Sequence, residues 1–128
     1  MVLLEKLKWS TQALAAPFEI QLSLFPDLVV VADELALDWE EWFCGNKDEL
    51  KTMLTSEQFA ALSELDLALV KISGKEEFWT DEALRNVPEW IRIRELARIC
   101  LAKCGWPQEI PLRERGHIYR GVNGKVRE

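Results

Sequence analysis

The sequence predicts a mainly α protein: a single compact domain of four to five helices with an irregular basic C-terminal tail. Three observations lead there. Apolar residues recur at helical spacing through three long stretches, each framed by start and stop signals. A length of 128 residues, with 48% hydrophobic and 30% charged content, suits one globular domain. Strand-like alternation is confined to residues 18–25 and a short piece near the C-terminus, which leaves an α+β fold with a strand at 18–25 as the alternative. The helical domain is expected over residues 1–105, and the tail over 106–128 belongs to it or hangs loosely from it.

Residues 2–15 read as a modest helix with Leu3, Leu4, Leu7 and Leu14 on one face. Pro17 stops it, because proline lacks the N–H and clashes with the preceding turn. In residues 18–25, Phe18, Ile20, Leu22 and Leu24 alternate with Glu19, Gln21 and Ser23, so the segment is either extended or helical.

Phe25 to Gly45 is the stretch around which the chain is organised. Read as one helix, it gathers Leu28, Val31, Ala32, Leu35, Ala36, Trp39, Trp42 and Phe43 on one side and its acids on the other. Pro26 and Asp27 serve as the start signal and Gly45 as a left-handed stop. Val29-Val30-Val31 is β-branched and would suit a strand, but the separation of faces outweighs it.

Asn46–Glu49 has the form of a capping box and begins a short helix to about Leu54. Thr55–Gln58 is a second capping box, opening a helix to about Ile72 with Gly74 beyond it. Phe59, Leu62, Leu65, Leu69, Val70 and Ile72 share its apolar side, and Asp66 falls among them. A carboxylate so placed needs a cation, and Arg92, Arg94 or Arg98 is the expected partner. Thr80 caps a short helical turn. Pro88 opens the last long helix, which ends at Cys104 before Gly105. Its buried face is Trp90, Ile93, Ala97, Cys100, Leu101 and Cys104, with Arg92, Arg94 and Arg98 off that face. Beyond it, His117–Tyr119 could form a short strand, and Asn123-Gly124 is a turn signal.

Charge is unevenly placed. Residues 1–64 hold four Lys and twelve acids, whereas all eight arginines lie in residues 65–128. Asp27, Glu34, Asp38 and Glu41 fall within about 60° of one another on the helical wheel. No Lys or Arg occurs between Phe25 and Asn46, so no ion pair within the helix offsets their repulsion. This row is the expected binding surface for a basic protein partner. Arg92, Arg94, Arg98, Arg113, Arg115 and Arg120 form a possible basic site for nucleic acid, although a pI near 4.9 runs against that use.

Catalytic signals are weak. The single histidine, His117, lies in the tail, and no glycine-rich phosphate loop occurs. Cys100 and Cys104 are one helical turn apart and could join Cys44 and His117 around zinc, but the spacing matches no standard pattern and both cysteines are expected to face the core. No cofactor or metal is expected. Three cysteines do not make a disulfide framework, the longest apolar run, Leu28–Ala32, is too short to span a bilayer, and the N-terminus has no basic region before its apolar residues. A cytoplasmic setting is expected.

The first functional reading is therefore a small non-enzymatic interaction module (an adaptor, inhibitor or regulator) presenting an acidic helix face to a basic protein. A nucleic-acid-associated protein and a Cys/His enzyme or zinc protein are the alternatives.

Overall fold

The computed structural model describes residues 2–112. They form seven α-helices: α1 (Val2–Ala15), α2 (Phe18–Ser23), α3 (Val31–Trp42), α4 (Lys47–Met53), α5 (Ser56–Ile72), α6 (Asp81–Asn86) and α7 (Pro88–Cys104). Short 3-10 turns occur at Cys44–Asn46 and Glu76–Phe78. No strand occurs among the described residues, so the segment at 18–25 resolves as helix α2 and the α+β alternative falls. His117–Tyr119 and Asn123-Gly124 lie outside the described residues.

Four long helices make the body. α7 packs against α5 and α1, and α1 packs against α3. Hydrogen bonds and ring contacts fix the directions. Gln58 Nε2 donates to Lys103 O, and Arg98 Nε donates to Ala15 O, so α7 runs antiparallel to both its neighbours. Lys6 lies over the Trp42 ring, which sets α1 antiparallel to α3. Phe43 meets Phe59 and Trp39 meets Asp66, closing α3 onto α5. The result is one up-down-up-down bundle, with α2, α4 and α6 as short connections. Leu7, Leu14, Leu35, Trp39, Phe43, Leu62, Leu65, Trp90 and Ile93 fill its centre. No helix among the described residues is long and apolar enough to cross a membrane.

The organising helix is shorter than its sequence pattern suggests. Pro26–Val29 closes a turn through Val29 N–H to Pro26 O, and Val30 is extended at the N-cap of α3. Leu28, expected inside, is 69% exposed, while Phe25 and Val29 are buried. The β-branched pair Val29-Val30 thus favours the extended entry over another helical turn. The cap of α3 comes from far along the chain: Val31 N–H donates to Asp81 Oδ1 at 3.0 Å. Gly45 is not a left-handed stop but part of the 3-10 turn. Asn46 does not cap α4 with its side chain. Its Nδ2 instead donates to Glu41 O and Trp42 O, satisfying carbonyls at the end of α3.

Other boundary signals hold. Gln58 N–H donates to Thr55 Oγ1 and Thr55 N–H donates to Gln58 Oε1, a complete capping box. Ala83 N–H donates to Thr80 Oγ1. Gly105 adopts φ 70°, ψ 24°, the left-handed stop expected after Cys104. Beyond it the chain turns back over α1: Gln12 Nε2 donates to Pro107 O, Trp9 Nε1 donates to Leu112 O, and Pro111 is buried. The first residues of the basic tail are therefore held against the bundle.

Candidate functional site

α3 is amphipathic in three sectors rather than two. Val31, Leu35 and Trp39 enter the core. One flank carries Glu34, Asp38 and Glu41, and the other carries Asp33, Leu37 and Glu40, continued by Cys44. The first flank turns toward α1. Glu34 is 1% exposed and Asp38 2%, and Trp42 Nε1 donates to Asp38 Oδ1 at 3.3 Å. Glu34, Asp38 and Glu41 are all engaged in interactions. Asp27 lies off the helix, exposed in the preceding turn. The expected solvated row of Asp27, Glu34, Asp38 and Glu41 thus does not exist as one surface. Two of its four members are inside, because α1 covers the flank that a helical wheel alone leaves to water.

The opposite flank borders an open cleft of about 360 Å³ between α3, α5 and the loop before α6. Ala36, Leu37, Leu69, Val70 and Trp79 give it apolar walls. Asp33, Glu40 and Asp66 supply three carboxylates, and no Lys or Arg lines it. Burial, with Asp81 nearby, holds the Asp33 carboxyl above its ordinary value. More open depressions beside Glu40 and Cys44 continue the edge through Glu41, Asp48 and Glu49, with Lys47 among them.

Asp66 forms the floor. Its Oδ1 accepts from Trp39 Nε1 at 3.2 Å and from Cys44 Sγ at 3.1 Å. Lys47 Nζ approaches Oδ2 at 3.8 Å and lies 5.7 Å from the centre of the Phe43 ring. The cation beside Asp66 is thus Lys47, from the start of α4, and not an arginine of α7. Those arginines are otherwise used. Arg94 Nη1 donates to Gln21 Oε1 and Leu84 O from a buried position, and Arg98 Nε donates to Ala15 O. Arg92 faces Glu95 at 3.7 Å on the surface. Arg94 was expected off the buried face, but α2 and α6 cover that side of α7. Arg113, Arg115 and Arg120 lie outside the described residues.

The three thiols are held protonated. Burial, then the hydrogen bond to Asp66, pushes Cys44 up to about 12. Burial also raises Cys100 to about 12 and Cys104 to about 11. Cys100 Sγ donates to Ala61 O inside the α5–α7 contact, whereas Cys104 is half-buried rather than inside. No metal-binding cluster occurs among the described residues, and His117 is outside them.

Sequence reasoning flagged Asp66, and Cys44 only as a zinc candidate, but not Lys47 or Trp79, which complete its surroundings. One signal was present: Asp33, Leu37, Glu40 and Cys44 recur at helical spacing, a second stripe beside the apolar one. Chemically, an apolar slot with carboxylates at its mouth and floor can receive a cation on an apolar stem. No protein family matches the sequence, and neither a curated protein nor a solved structure matches it.

Proposed function

We propose that the protein is a small non-enzymatic interaction module that receives a basic segment of a protein partner at the α3–α5 cleft. The observation that carries this reading is the lining of the cleft: apolar walls with the carboxylates of Asp33 and Glu40 along them and no Lys or Arg, over a floor where Asp66 is paired with Lys47. A lysine or arginine side chain has the matching form, an apolar stem that prefers a greasy wall and a charged head that prefers a carboxylate. The partner surface therefore moves from the row at Asp27, Glu34, Asp38 and Glu41 to Asp33 and Glu40, with Asp66 beneath them already paired to Lys47.

A thiolate nucleophile at Cys44 is disfavoured by its raised pKa, which weighs against cysteine catalysis in the cleft. Burial of Arg94 weighs against a phosphate-binding face on α7. Free thiols and an acidic surface accord with a cytoplasmic setting.

Intrinsic fluorescence tests the proposal, since Trp39 and Trp79 both line the cleft. A panel of short peptides bearing Lys or Arg next to apolar residues is titrated in at low and high salt. Saturable, salt-weakened binding that disappears in Glu40→Lys supports the reading. Binding that is unchanged in Glu40→Lys and in Asp33→Lys, or no binding by any basic peptide, refutes it.

A further inference from the structure

The outer face of α5, away from the cleft floor, has its own pattern. Glu64, Leu67, Ala68 and Lys71 share one face of the helix, within about 100° of one another. Leu67 is 58% exposed, and on the adjoining side of α7 Ile99 is 46% exposed. Between the two helices runs a groove of about 470 Å³ whose walls include Leu67, Ala68 and Leu96. Among the described residues, neither Glu64 nor Lys71 forms an ion pair.

The order along the stripe is acid, apolar, apolar, base, and this order is complementary to its own reversal. A two-fold axis between Leu67 and Ala68 sets α5 antiparallel to α5 of a second copy. Glu64 then meets Lys71 of the second copy, a contact that occurs twice, while Leu67 and Ala68 pack around the axis at the centre of the contact. A parallel arrangement would instead bring Glu64 against Glu64 and Lys71 against Lys71. A slip of one turn would leave a charge facing Leu67. The charges therefore select one register and one orientation, as flanking charges do in paired helices.

We propose that this face of α5, with the groove beside Leu96, binds a second copy of the chain in an isologous antiparallel dimer. The interface lies apart from the α3–α5 cleft and does not depend on what that cleft binds.

The test uses the full chain in sedimentation equilibrium from low micromolar to near-millimolar concentration. The wild type is expected to dimerise reversibly. Leu67→Asp should weaken dimerisation at least about tenfold, with helical content, and the melting temperature at concentrations where both proteins are monomeric, unchanged because Leu67 faces water in the single chain. Glu64→Lys and Lys71→Glu each place like charges across the axis twice, so each alone should remain monomeric where the wild type dimerises. Mixed together they should form a heterodimer, since both cross-axis pairs are then opposite in sign. A wild type that stays monomeric across the range would overturn the proposal. So would a mixture that associates no better than its components, or a Leu67→Asp variant that dimerises like the wild type.

Discussion

Trp39 joins the core to the candidate site, and replacing it separates the two contributions. Its ring is 1% exposed and stacked on Phe43 at 4.9 Å, while its Nε1 donates to Asp66 Oδ1. Trp39→Ala removes a large buried aromatic, a loss of about 3–5 kcal/mol. Trp39→Phe retains most of the ring and deletes the donor. Asp66 Oδ1 then keeps only the Cys44 thiol, a weak donor. A hydrogen bond to a charged group contributes about 1.5–3 kcal/mol, and residual solvent access around Asp66 places the expected loss near the lower end. A double-mutant cycle of Trp39→Phe with Asp66→Ala isolates that bond, with an expected coupling of about 1–2 kcal/mol. Urea unfolding followed by far-ultraviolet circular dichroism is the suitable assay, because tryptophan emission itself changes. A loss under about 1 kcal/mol for Trp39→Ala, or a coupling under about 0.5 kcal/mol, would refute the reasoning.

Arg94→Ala should cost about 2–4 kcal/mol, since Gln21 Oε1 and Leu84 O lose a buried donor. An unchanged urea midpoint would mean that Arg94 is solvated and available to a ligand. Cys100 should label far more slowly than Cys104 with iodoacetamide at neutral pH, because Cys100 is buried and Cys104 is only half-buried; equal rates would contradict the placement of Cys100. All three thiols titrate higher in the folded chain, so the unfolded chain ionises first. Stability should therefore fall as pH rises from about 9 toward 11–12, as read by urea midpoints in alkaline buffers. Asp33 is an acid whose folded pKa lies above its ordinary 3.8, so its charge opposes folding above the raised value and stops doing so as pH falls through it. Asp33→Asn should raise the urea midpoint at neutral pH and match the wild type in acid; a lower midpoint at neutral pH would reverse the sign.

Much of the fold was written locally. The capping box at Thr55, the Thr80 cap, Pro88 at the start of α7 and Gly105 at its end act through neighbouring residues, so the sequence displays them. The misses share a different physics. α3 begins at Val31 because a carboxylate fifty residues later caps it, and no local pattern announces Asp81. Glu34 and Asp38 look solvated on a wheel because the wheel does not show α1. Arg94 and Leu28 exchanged their expected places for the same reason: burial belongs to the assembled bundle. Of the cleft, Asp66 was legible as an acid interrupting an apolar stripe, and Asp33, Leu37 and Glu40 only as a helical spacing beside the apolar face of α3. Lys47 and Cys44 reach Asp66, and Trp79 reaches the cleft wall, through turns whose geometry the sequence does not spell out.

The account rests on the α3–α5 cleft as the place where a basic partner binds. The most direct measurement is a nitrogen–proton correlation spectrum of the labelled protein during titration with a Lys- or Arg-bearing peptide, read at the indole N–H signals. The account predicts progressive shifts at Trp39 and Trp79, which line the cleft, while Trp9, on the α1 side of the bundle, stays in place. Shifts confined to Trp9 or Trp42, on the α1 side of the bundle, with Trp39 and Trp79 unmoved, would contradict it.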